Sequence, residues 1–510
     1  MLVCLLVFKI SVGLIRSVVG STPIHSRLVI KDAILTYSQR LLLIVLAFLF
    51  LFAACKPQEV ESPVATETPG TATPAPSNTP SKTSTPTLTS TPIPTVESLL
   101  EKMGGQLAGV NLVLRHPWYG KAEERFNALI ETFNNENDYG IKVSPVGGYG
   151  LETMADLLGN DTLDANLVIA QTYDILSANE NNAFVDLTEF INDPELGILD
   201  LYDESFAFNE LCPLENDDFR QAIAIAYQPA VLYYNTSWAK GLGFDEIPLD
   251  LETFTTQMMA GFEANTHDND PNNNGTGGLF LSKSVQSAQA WYAGFDGAFS
   301  PGASHLQFDE KALLDSYEWL KTAYAQDAHW VGAETIPYDY FARRLALAVE
   351  GGLDDLAYIT AAINSSSNKD EWTTMPYPSL DGQGVIAMES LGIGILESDA
   401  HKQLASWIFA RYLLEQDQQA ALIEVHGYWP VTGAPAEIAP IYAKENPAWA
   451  SAALPDAHYI LAPEAENWAI TRRIFQDAYL RVYGLETQYF PNILDLLKQT
   501  LIDVQGSSDD

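Results

Sequence analysis

The sequence predicts an α/β fold built on a parallel, doubly wound sheet, and three observations carry that prediction. From residue 106 onward, short β-prone runs alternate with amphipathic helical runs across tight connections, the pattern of strand–helix–strand crossovers. The 510-residue chain is 47% hydrophobic, which suffices for one large body or two lobes. The stretch ahead of it, residues 56–98, holds nine prolines and no aromatic side chain, so the core-forming residues are concentrated in the later region.

The leader comes first. Arg40 precedes the apolar run LLLIVLAFLFLFAA, which is too short to span a bilayer comfortably and suits a signal-peptide core. Ala53 and Ala54 lead directly into Cys55, resembling a bacterial lipobox, although Phe52 stands where that pattern prefers Leu, Val or Ile. Residues 1–54 are therefore expected to be a signal or anchor region, with 1–39 read as a start assigned too far upstream. Cys55 is expected to be lipidated, and 55–105 to be a Pro/Thr/Ser spacer that cannot repay the entropy of ordering. Besides Cys4 and Cys55 only Cys212 remains, so no intramolecular disulfide framework is expected.

Asp and Glu number 66 against 27 Lys and Arg, which argues against a broad basic face for nucleic acid or anionic lipid. The same excess is expected to keep the body soluble and monomeric, and its sharper reading is a negative field that favours cationic ligands.

In the body, GVNLVLRHPWYG reads as a strand, followed by a helix in which Phe126, Leu129, Ile130 and Phe133 fall at i, i+3, i+4 and i+7. The strand IKVSPV, the turn GGYG, the helix LETMADLLGN and the strand ANLVIAQ follow. Ligands of such sheets sit beyond the carboxyl ends of the strands, where this chain places His116, Trp118, Tyr119, Gly148, Tyr149, Gln171 and Tyr173. Two further β-prone runs then flank Pro229 in AIAIAYQPAVLYYN.

The string VLYYN with a following helix, Gly241 to Gly243, Pro248, Glu252 and Phe254 resembles the family 1 extracellular solute-binding proteins of ABC transporters. FARRLALAVEGGLDDL, WTTMPYPS and the long segment from ESLGIGIL to HGYWPVTGAP resemble further family segments in the family's order. Leu353 follows the glycine pair where relatives often carry an aromatic residue. The resemblance implies a two-lobed periplasmic-binding-protein (type II) fold with a hinge and an inter-lobe cleft. It assigns 106–228 plus 341–395 to the first lobe, 229–340 plus 396–505 to the second, and 506–510 to a disordered tail. Crossings are expected near Tyr227 to Tyr233, Tyr340 and Gly394. The implied function is a lipid-anchored extracytoplasmic receptor that delivers a small molecule, a carbohydrate, to permease subunits of an ABC importer.

A sugar needs flat aromatic platforms and polar groups around its hydroxyl rim. Candidate platforms are Trp118, Tyr173, Tyr227, Trp291, Tyr292, Tyr428 and Trp429, and candidate polar or loop contacts are His116, Arg115, Gln171, Asp174, Glu350, Gly352 and Glu389. In DNDPNNNG, Asp270, Asn272 and Asn274 follow the spacing of a calcium loop, but Leu281 occupies the place of its bidentate glutamate. No cofactor is otherwise expected. The sequence lacks a GxSxG elbow, an HExxH pair and a phosphate loop, so an enzyme is not expected. Two alternatives stay open: an anchored polysaccharide hydrolase, and the same fold holding a cationic solute such as a polyamine. Carboxylates converging on one point of the cleft would favour the cation.

Overall fold

The computed structural model describes residues 97–505, except 104–105, 160–162, 179–183, 202–219, 283, 301–305, 333–336, 464 and 466. The expected leader, Cys4, Cys55, Cys212 and the C-terminal tail lie outside the described residues. Within the expected spacer, the short helix Leu99–Lys102 is ordered by a capping box between Ser98 and Glu101, and Leu99 is buried. It docks on the body: the Leu99 amide donates to Asp193 Oδ2 at 2.7 Å, and Ser98 Oγ to Glu195 Oε2 at 2.7 Å. The body therefore begins before residue 106.

The first strands fold as their pattern dictates. β1 (Asn111–Arg115) pairs in parallel with β2 (Lys142–Val146) and β3 (Leu167–Gln171). The crossover helix Gly120–Glu136 buries Phe126, Leu129, Ile130 and Phe133, the four residues of its apolar stripe. The turn after β2 runs through Gly148 at φ 94° and Gly150 at φ 71°, conformations that a side chain would strain.

The remaining strands are β4 (Ala222–Tyr234), β5 (Gly277–Phe280), β6 (Phe299–Ser300), β7 (Gln307–Phe308), β8 (His329–Trp330), β9 (Ala346–Gly352), β10 (Thr373–Met375), β11 (Val385–Ile395) and β12 (His458–Leu461). The main sheet runs β2-β1-β3-β11-β4-β9-β5-β8, with β10 added beside β4 and β12 beside β11, while β6 and β7 form a separate pair. Parallel pairing holds in β2-β1-β3 and in β9-β5-β8, but the centre is antiparallel.

β4 is one strand through Pro229 rather than two separate runs. Up to Gln228 it pairs with β11, and from Ala230 with β9, so the proline, which has no N–H to donate, sits where the ladder changes partners. β11 makes the matching switch: Val385 to Met388 pair with β12, and Glu389 onward with β4. This crossing lies near Glu389, ahead of the expected Gly394.

Alternation along β4 sends Val231 and Tyr233 into one core and Ala230, Leu232 and Tyr234 into the other. One expected lobe membership is corrected by the packing. The helices Ala400–Tyr412 and Gln416–His426 contribute Leu404, Trp407, Phe409 and Leu422 to the core that holds Leu112, Leu114 and Phe133 of the first lobe. Only the later helices Trp468–Arg481 and Phe490–Gln505 bring Phe475, Tyr479 and Leu497 to the second core. Likewise β9, expected in the first lobe, pairs with β5 of the second.

Candidate ligand-binding site

The switch in β4 opens a cavity of about 250 Å³, lined by Gln228, Ser282, Ser284, Gln286, Pro337, Tyr338, Glu350, Gly351, Gly352, Asp354 and Asp355. β9 ends on Glu350, Gly351 and Gly352, and the 3-10 turn Leu353–Asp355 folds the next two carboxylates back over the strand end. The glycines make that approach possible. A Cβ on Gly352 would lie 2.4 Å from Asp354 Oδ1, and one on Gly351 2.6 Å from Asp355 Oδ2.

Asp355 accepts hydrogen bonds from the Gly352 amide at 3.1 Å and from the Tyr338 hydroxyl. The Tyr338 ring stacks on Tyr358, with centroids 5.4 Å apart and planes at 4°. Asp354 lies beside the Gln228 side chain, which favours its charged form, and Gln228 Oε1 accepts from Gln171 Nε2 at 2.9 Å. Glu350 accepts from Trp291 Nε1 and from the Ser282 amide, each at 2.6 Å.

Gln286, on the first turn of the helix Val285–Ala293, extends the network by donating to Glu389 Oε2 at 3.1 Å. Glu389 also accepts from Arg472 Nη2 at 2.5 Å, and that guanidinium lies over the Tyr173 ring, 4.8 Å from its centroid.

Burial dominates the electrostatics. It pushes the Asp354 carboxyl up to about 6, with Asp355 adding to the effect. Asp354 is itself solvent-exposed on the cavity lining, so water tempers this rise. Asp355 and Glu350 are also raised by burial, against the hydrogen bonds they accept. Farther along, burial pushes Asp174 up to about 7 despite the opposing Arg472.

The described residues, taken together, form a polar cavity at the carboxyl end of β9, between two α/β halves joined by crossing strands. A family model described as "Bacterial extracellular solute-binding protein" matches residues 128–451. The chain belongs to that family.

This solute-binding protein shares its fold with solved binding proteins at low identity. The cyclic α-maltosyl-1,6-maltose binding protein of Arthrobacter globiformis aligns at 16% identity and TM-score 0.62, over 78% of this chain and 99% of that one. The GacH receptor of Streptomyces glaucescens, solved unliganded and with acarbose, aligns at 14% and 0.59, over 77% and 99%. UgpB of Mycobacterium tuberculosis, solved with glycerophosphocholine, aligns at 17% and 0.58, over 76% and 98%. These place the fold in the type II periplasmic-binding-protein class. No curated protein matches the chain significantly.

The structure draws together only some of the residues expected to contact a ligand. Gly352 and Glu350 line the cavity, Glu389 stands behind Gln286, and Tyr173 lies beyond Glu389 with its hydroxyl 3.5 Å from Oε2. The other expected platforms are core residues. Trp429 is fully buried because its backbone pairs with Tyr227 in both directions at 2.9 Å, and its Nε1 donates to the Trp449 carbonyl at 3.2 Å. Tyr227 is buried by the same bridge.

Trp291 lies in the second core behind Glu350, and Tyr292 turns away to donate to the Ala298 carbonyl at 2.8 Å. Tyr428, His426 and Trp118 form a stacked row with buried ends, with centroids 4.7 Å and 5.8 Å apart, and His116 closes it at 5.5 Å from Trp118. The loop after β1 thus exposes Tyr119 and buries Trp118. Arg115 donates to the Tyr149 hydroxyl at 2.9 Å.

Asp270, Asn272 and Asn274 lie exposed on a turn in which Asp270 Oδ1 accepts from the Asn272 amide and Nδ2, at 3.0 and 2.8 Å. Sequence reasoning missed Gln228, Gln286, Tyr338, Asp354 and Asp355. The available signal was the twin aspartates one residue past the glycine pair, after Leu353, which stands where relatives often place an aromatic residue.

Proposed function

We propose that the protein is the extracytoplasmic receptor of an ABC importer, capturing a carbohydrate between its two halves and presenting it unchanged to a membrane permease. The observation that carries this reading is the polar cavity at the β4 switch of a solute-binding fold, walled by residues on both sides of the crossing. Structural neighbours named for maltose-type ligands favour a sugar. At about 250 Å³ the cavity sits at the small end of ligand sites, which favours a mono- or disaccharide over a long chain. Capture works by differential affinity: a ligand that bonds Asp354 and Gly352 on one wall and Gln286 and Ser284 on the other favours the arrangement in which both walls reach it.

Cys55 carries the lipid in this reading, and the spacer after it is a tether for the body. Thermal unfolding of the full-length protein against a panel of mono- and disaccharides tests capture. A sugar at a hundredfold excess over its Kd should stabilise the fold by about 2.7 kcal/mol, and it should be recovered chemically intact. Conversion of the sugar would overturn the receptor reading in favour of a hydrolase. Metabolic labelling with a fatty acid tests the anchor; it should be lost in Cys55→Ala.

A further inference from the structure

The polar inventory of the cavity is one-sided. Its donors are few and partly committed to the protein: Gln228 stands beside Asp354, one N–H of the Gln286 amide goes to Glu389, and the Tyr338 hydroxyl goes to Asp355. The Ser284 hydroxyl donates to Ser287 Oγ at 2.7 Å, and Ser282 Oγ is 3.1 Å from the same atom.

Acceptors remain. Asp354, Asp355 and Glu350 all line the cavity, and no Lys, Arg or His does. The nearby guanidinium of Arg472 is bound to Glu389. A second, independent observation points the same way. Gln171 is 4% exposed and its side chain reaches the cavity wall through Gln228, yet its Oε1 has no hydrogen-bond partner. A buried acceptor without a donor is costly, and it marks the wall behind Gln228 as short of donors. Tyr338 adds an aromatic ring to the same lining.

We propose that the ligand carries a protonated amino group, held between Asp354 and Asp355 and flanked by the ring of Tyr338. The inference rests on the carbohydrate reading for the rest of the ligand, which makes the substrate class an amino sugar with a free amine. A neutral sugar would leave two adjacent carboxylates uncompensated when the cavity closes over it. An ammonium neutralises them with charge-assisted hydrogen bonds and takes a cation–π contact from the tyrosine.

The test is titration calorimetry on the full-length protein with glucosamine, its β-1,4 disaccharide, the N-acetylated form of each, maltose and spermidine. N-acetylation keeps the ring and removes the charge. The expected result is binding of a free-amine sugar at least tenfold tighter than its N-acetylated form, with that preference abolished in Asp354→Asn and Asp355→Asn. Both variants should keep the parent's melting temperature, which separates loss of the site from loss of the fold. Equal or tighter binding of the neutral forms overturns the charge inference and leaves the carbohydrate reading standing. Binding of spermidine alone overturns the carbohydrate reading and keeps the charge. Silence across the panel overturns both.

Discussion

Three histidines sit in surroundings that keep them neutral. Burial lowers His116 to about 4 and His329 and His426 to about 3, and neither ring nitrogen of His116 or His329 has a hydrogen-bond partner. The unfolded chain, titrating near 6.5, takes up these protons first, so stability is lost as pH falls from about 6.5 toward about 4. His116 alone is worth about 3 kcal/mol over that window. Melting temperature against pH should decline in this range, and His116→Gln should flatten the decline.

Asp354 has the opposite sign. Its carboxyl is held up, so native-state stability is lost as pH rises from the unfolded value near 3.9 through about 6. For an ammonium ligand the ionised form is required. Affinity should therefore fall as pH is lowered through about 6, with Asp355 and Glu350 on the same lining contributing. Calorimetric titrations at pH 7.5 and pH 5 would measure this, and an unchanged Kd would count against the ammonium contact.

At the scale of elements, the end of β9 is the joint that matters most. In Gly352→Ala the new methyl would meet the Asp354 carboxylate, the far end of a flexible side chain. The variant should fold with a melting temperature near the parent's and bind ligand at least tenfold more weakly, because Asp354 must swing away. The helix Trp468–Arg481 offers a contrasting case: Arg472→Ala leaves Glu389 buried without its cation. Denaturant unfolding should show a loss of about 3–5 kcal/mol.

The secondary structure near the N-terminus is legible because each element carries its own periodicity. The stripe from Phe126 to Phe133 is a local pattern, and the helix buries those residues. The binding residues are not legible in that way. Trp429 and Trp118 sit beside turn-forming residues that suggest exposure, but a backbone bridge to Tyr227 and stacking on His426 bury them. Those partners lie far away in sequence. Asp354 and Asp355 look like ordinary helix-start acids, and only the strand end behind them turns them toward the cavity.

For the whole molecule, the acidic excess gains a specific meaning. A chain with a net charge of −39 carries a cavity whose lining is itself anionic. A cationic ligand would be drawn in by the long-range field as well as by the site, so its association rate should fall steeply between low and physiological salt, measurable by stopped flow. A neutral sugar would show no such dependence. Asp354→Asn should slow association little and weaken the salt dependence only slightly, since one charge among many sets the far field, and its loss of affinity should appear as faster dissociation.

The place of β11 in the sheet bears on the order of events during synthesis. It lies between β3 and β4, which precede it by more than 150 residues of chain and do not pair with each other. A chain emerging from its N-terminus therefore makes both flanks of the sheet before the strand that joins them. Until Ile395 has emerged, β3 and β4 present open edges, and the early segments cannot settle into the native body. Chains truncated ahead of Val385 should stay sensitive to protease and collect in an extended state. Such a delay keeps the polypeptide threadable for most of the time it is being made.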